Sequence, residues 1–107
     1  MDLLELGQVV FSKRGRDRGT AYIVVGMFVE SGKQYVYLAD GSRRPAEKPK
    51  RKKTMHIQPT NKIISSDIRI NGYLENGGDA GVLNAHLRKS LKKYAMAVSE
   101  AGENETV

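Results

Sequence analysis

The residues of this chain best suited to chemistry are its cations. Lys13, Arg14, Arg16 and Arg18 fall within SKRGRDRGTA, between the apolar runs GQVVF and YIVVGMFV. Asp17 is the one acid among them, and Gly15 and Gly19 bound a tight connection. A second run, RRPAEKPKRKK, holds Arg43, Arg44, Lys48, Lys50, Arg51, Lys52 and Lys53. Three chemistries could use the first loop. A nucleotide cradle needs the pattern GxxxxGKS/T, whose backbone N–H groups wrap the phosphates while its lysine neutralises them. GRDRGT has a different glycine spacing and lacks the lysine. General acid–base catalysis needs a positioned titrating group, usually His or a paired carboxylate. Asp17, surrounded by cations, is expected to stay ionised. A finger for an extended polyanion fits best: glycines allow a sharp turn with close backbone approach, and guanidinium planes match phosphate oxygens and stack on bases.

The whole chain supports that reading. It has 107 residues, 18 Lys and Arg against 12 Asp and Glu, and a net charge of +6. Four of the 18 cations lie in residues 13–18 and seven in 43–53. Clustering on this scale is the electrostatic footprint of nucleic-acid binding. Cysteine is absent, which removes disulfides and thiolate ligands and fits a reducing compartment. His56 and His86, with neither cysteine nor a carboxylate cluster beside them, do not make a metal site. No cofactor is expected. No apolar run approaches the ~20 residues that cross a membrane. MDLLELGQ is acidic and too short for a signal peptide, so the expected location is the cytoplasm.

The elements that must position these loops read as mainly β. Val9 to Phe11 is a short strand. Thr20 to Glu30 is a longer one, with Ile23, Val25, Met27 and Val29 on one face and Tyr22, Val24 and Phe28 on the other. Gly26 within it predicts a bend or bulge. ESGK predicts a hairpin turn. Gln34 to Ala39 alternates, with Val36 and Leu38 opposite Tyr35 and Tyr37. Asp40-Gly41 is a turn signal, the 43–53 run reads as a loop, and Thr54 to Gln58 as a last strand. Pro59-Thr60-Asn61 closes the unit. Short strands joined by glycine-containing turns argue for a small, strongly bent antiparallel barrel over 1–61. Residues 62–99 are expected to form a helical extension. Its 63–78 part fits either a helix capped by Ser66 or a strand. Leu83, Leu87, Leu91, Tyr94 and Val98 then form a helical stripe, with Arg88, Lys89, Lys92 and Lys93 opposite. Asn84 or Asp79 would cap that helix. The polar tail 100–107 is expected to be disordered.

Gly7-Gln8-Val9-Val10-Phe11, then Gly15, then Gly19 before an apolar strand, resembles a KOW motif. That motif is a strand–loop–strand unit of RNA-binding proteins in translation and transcription. DGSRRPAEKPKRKKTMHIQPTN extends the resemblance. A strand ending in Asp-Gly, a basic excursion and a strand running into Gln-Pro-Thr-Asn is similar to the large-subunit ribosomal protein group of the fourteen-E, six-E and twenty-seven-E types. Small bacterial KOW-domain members are the most similar, and some of these carry a helix resembling LNAHLRKSLKKY. The resemblance implies an SH3-like barrel whose first loop and basic flank lie against RNA, usually ribosomal RNA. By position it makes Gly7, Gly15 and Gly19 the motif glycines, and Lys13, Arg14, Arg16 and Arg18 its contact loop. The acidic tail AGENETV departs from the long basic tails of ribosomal members, which sets stable ribosome residence against transient association.

The expected function is therefore a non-enzymatic RNA-binding module, monomeric when free, contacting phosphates through the loops 13–18 and 43–53. The alternative is an adaptor docking on a translation or transcription protein through its barrel or its leucine stripe. Tyr35 and Tyr37 read as barrel surface or as a small core beneath the helix, with stacking on bases as the sharper reading.

Overall fold

The structure, a computed structural model, describes residues 4–64 and 80–92. Five strands form one antiparallel sheet: β1 (Gln8–Ser12), β2 (Ala21–Glu30), β3 (Lys33–Ala39), β4 (Lys50–Lys53) and β5 (Ile57–Ile63), in the order β4-β3-β2-β1-β5. A helix, α1, spans residues 80–92. The expected turn at ESGK is a two-residue hairpin: Glu30 pairs with Lys33, and Ser31 and Gly32 both have positive φ, 51° and 75°. Such turns match the right-handed twist of the flanking strands.

Chain connectivity bends this sheet. In a flat sheet the edge strands β4 and β5 would lie about 19 Å apart, at ~4.8 Å per strand. They are joined by the single 3-10 turn Thr54–His56, and four Cα steps reach at most about 14 Å. The edges must come together, and the sheet curls into the expected small barrel without hydrogen bonds closing it.

Two expectations along the strands are corrected. Residues 50–53 are a strand rather than loop, with Leu38 opposite Lys50 and Tyr35 opposite Lys53. The segment expected as a last strand from Thr54 opens as the 3-10 turn, and β5 runs through Pro59 to Ile63. Gly26 marks the predicted irregularity: the register of β2 against β3 shifts between Val24 and Gly26. An extra residue on one strand transfers everything beyond it to the other face. Tyr22 and Val24 therefore face one way with Val36 and Leu38, but beyond the bulge it is Met27 that pairs with Val36, while Phe28 pairs with Tyr35. Phe28 consequently leaves the face that holds Tyr22 and Val24.

Each face has its own core. Val10, Tyr22, Val24, Val36, Leu38 and Ile57 fill the concave interior. Val9, Ile23, Ala39, Ala46 and Ile64 form a second cluster with Leu83, Leu87 and Leu91 of α1. The leucine stripe thus packs on the convex side of the barrel, and Leu87 is fully buried. Tyr94 and Val98 lie outside the described residues, as do 65–79 and 93–107 with the expected Ser66 and Asp79 caps and the polar tail.

Asn84 is not a cap. It lies inside α1 and docks the helix onto the β3–β4 connection: its Oδ1 accepts from Ala46 N at 2.7 Å and its Nδ2 donates to Glu47 Oε1 at 2.7 Å. Arg88, though exposed, also ties the helix to the barrel, its Nη1 donating to the Gly41 carbonyl at 2.5 Å. Gly41 has φ 80°, and a Cβ there would run into the Asn84 backbone carbonyl. Only glycine lets the helix approach so closely.

Candidate nucleic-acid interface

The loop between β1 and β2 is organised by its one acid. Asp17 Oδ1 lies 2.6 Å from Lys52 Nζ and 2.9 Å from Ser12 Oγ; Oδ2 lies 2.8 Å from the Tyr22 hydroxyl and 3.1 Å from Lys50 Nζ. Ser12 Oγ is also 2.9 Å from the Arg14 carbonyl oxygen, to which Lys52 Nζ donates at 2.8 Å. Burial alone would raise the Asp17 pKa. The hydrogen bonds from Lys52, Tyr22, Ser12 and Lys50 outweigh it and hold the carboxyl well below the usual carboxylate range, so Asp17 is ionised as its cationic surroundings imply. Tyr22 is shifted upward, first by burial and then by its bond to Asp17.

Gly7, Gly15 and Gly19, the glycines that the resemblance singles out, all have positive φ: 85°, 88° and 89°. Gly19 has open space around its missing Cβ, so its requirement is conformational rather than steric. Its N–H donates to the Ser12 carbonyl at 2.8 Å and helps close the loop.

Strand register decides where the predicted contact residues go. The start of β2, the end of β3 and the start of β4 lie at one end of the barrel, since Phe11 pairs with Ala21, Ile23 with Ala39, and Leu38 with Lys50. The loops 13–20 and 40–49 emerge together there. Lys13, Arg14, Arg16, Arg18, Arg43, Arg44 and Lys48 are all exposed, and no ion pair joins any of them to a carboxylate among the described residues. β4 alternates. Lys50 and Lys52 turn toward Asp17, the Lys52 side chain being 9% exposed, and so hold the loop to the barrel edge. Arg51 and Lys53 face the other way, opposite Tyr37 and Tyr35. His56 stands beside this charge. Burial, then Arg14, Lys53, Lys52 and Lys13, push its pKa down, which favours the neutral imidazole. Its carbonyl accepts from Lys13 N at 2.8 Å. A polar cleft of about 390 Å³, lined in part by Lys13, Gln34, Thr54 and Gln58, opens beside it.

Two features escape a reading of the sequence alone. One is Asp17 as the fastener of two distant basic segments; a lone acid between four cations is its signal. The other is Phe28. Its ring stacks between Tyr35 and Tyr37, with centroids 5.0 and 5.1 Å away, and counting an extra residue at Gly26 would have placed it there. The two tyrosines lie on the barrel surface rather than beneath the helix.

The chain matches no protein-family model and no curated protein. Its chemistry must be read from the arrangement itself. Among the described residues no three His, Asp or Glu side chains group as metal ligands, and no helix is long and apolar enough to cross a membrane. Seven exposed cations on two adjacent loops can neutralise several anionic groups spaced along one ligand.

Proposed function

We propose that this chain is a KOW-type RNA-binding module that grips phosphates at one end of its barrel. The reading is carried by one observation: antiparallel register brings the loops 13–20 and 40–49 to the same end, with their cations exposed. Asp17 adds rigidity, because binding Lys50 and Lys52 fixes the loop before any ligand arrives. A preformed loop loses less conformational entropy on binding. Lys13, Arg14, Arg16 and Arg18 then neutralise phosphates, with Arg43, Arg44 and Lys48 extending the contact. The polyanion this suits is structured RNA, and the motif resemblance favours ribosomal RNA and a place in translation, in the cytoplasm. The adaptor reading would have to use the barrel or the stripe beyond Leu91, since Leu83, Leu87 and Leu91 are in the core.

The test is the affinity for a structured ribosomal RNA fragment as a function of salt. Phosphate neutralisation predicts a linear fall of log K with log salt concentration, its slope set by the number of phosphates engaged. Absent binding at low salt, or binding indifferent to salt, overturns the mechanism.

A further inference from the structure

The convex face of the barrel is divided. The helix covers the part around Val9, Ile23 and Ala39. Beyond the Gly26 bulge the same face carries Phe28, Tyr35 and Tyr37. Their rings form a stack, with interplanar angles of 10° between Phe28 and Tyr35 and 28° between Phe28 and Tyr37. Tyr37 remains 36% exposed. Arg51, opposite Tyr37 on β4, lays its guanidinium over Tyr35 and Phe28, 4.8 and 5.6 Å from the ring centroids. Lys53 stands opposite Tyr35.

We propose that an unpaired base of single-stranded RNA stacks on Tyr37, the exposed ring of a ledge that Phe28, Tyr35 and Arg51 hold in place. The inference rests on the RNA-binding reading and names the kind of RNA that this second surface takes. Aromatic faces and guanidinium planes stack on any base, whereas bases within a duplex are already stacked and have no free face to offer. Arg51 and Lys53 supply charge for the phosphates on either side of that base. The ledge and the basic loop flank the same strand: Arg51 and Lys53 face the aromatic rings on one side of β4, while Lys52, between them, donates to the Arg14 carbonyl from the other side. A strand leaving a paired segment held at the loop end would reach it. Gly26 belongs to the same device. Its missing Cβ would sit 3.1 Å from Tyr37 Cδ2, so the ring lies directly against the backbone.

Two probes separate this inference from the reading beneath it: an oligouridine of about ten nucleotides, which stays unstacked, and a duplex RNA of equal length. The double variant Tyr35→Leu with Tyr37→Leu should bind oligouridine about tenfold more weakly, with an unchanged salt slope and unchanged affinity for the duplex. Tyr37→Phe should retain full affinity, because the ring face is kept. If the leucine variant does not fold, photocross-linking decides: oligouridine carrying 5-iodouridine should cross-link wild-type protein at Phe28, Tyr35 or Tyr37. Equal losses on both probes, no loss on either, or cross-links confined to other residues overturn the ledge. Wild-type protein that binds duplex but not oligouridine overturns the ledge and leaves the phosphate reading standing. Protein that binds neither probe overturns both.

Discussion

Asp17 gathers two lysines, a tyrosine hydroxyl and a serine hydroxyl around one carboxylate that is 13% exposed. Its pKa is depressed in the folded state, against about 3.9 in an unfolded chain. The sign follows. Above that unfolded value Asp17 is charged in both states, and its full contribution to stability is present. As pH falls below about 4, the unfolded state takes up the proton first and the contribution declines, vanishing only below the folded pKa. Asp17→Asn should cost about 3 kcal/mol near neutral pH, because Lys50 and Lys52 then lose their common partner. It should also flatten the loss of stability below pH ~4. Urea denaturation from acid to neutral pH checks both. Equal acid slopes in the two proteins would remove Asp17 from that role.

At the scale of the element, β4 shows how one short run serves two purposes. KRKK has neither the β-branched residues nor the apolar alternation that mark a strand. It is a strand because β3 offers a partner edge and because alternate side chains have different destinations. Lys52→Gln should lower stability by about 2 kcal/mol, since it removes a charge-assisted bond to a half-buried acid. Lys53→Gln, one residue on and facing outward, should leave stability within about 0.5 kcal/mol and weaken RNA binding. Thermal melts and binding titrations on the two variants distinguish the roles; matching behaviour would refute the alternation. The helix has the converse logic. Leu87 is fully buried between α1 and the convex face. Leu87→Ala should cost about 3 kcal/mol by leaving a cavity, with RNA affinity unchanged at temperatures where the variant stays folded. Unaltered stability would mean that the stripe is not in the core.

For the whole molecule the decisive quantity is how many cations one end of the barrel presents. Exposed charges contribute little to folding. Arg16→Ala combined with Arg18→Ala should therefore leave the melting temperature almost unchanged. It should reduce RNA affinity and make the salt slope shallower by about one unit for each phosphate no longer neutralised. Wild-type affinity and slope in that variant would reduce the loop to a solvated turn. The remaining charge would then lie in Arg43, Arg44, Lys48 and the outward side of β4.

The sequence alone determined whatever depends on local chemistry. Alternation in 34–39, the Ser31-Gly32 turn, the glycine-bounded turn between β1 and β2, and the leucine spacing of 83–91 each reflect forces acting within a few residues. The clustering of cations was equally plain, because charge is counted without a fold. Tertiary structure decided the rest. One extra residue at the bulge reverses every face beyond it, so Phe28 joined Tyr35 and Tyr37 only through its pairing with β3. Asn84 looked like a cap because helix starts favour such side chains, yet its partners are Ala46 and Glu47, 38 and 37 residues away in the chain. Lys50 and Lys52 are identical in kind to Lys48 and Lys53. Only the position of Asp17, 35 residues before Lys52 and within 2.6 Å of it in space, separates cations that hold the loop from cations that face solvent.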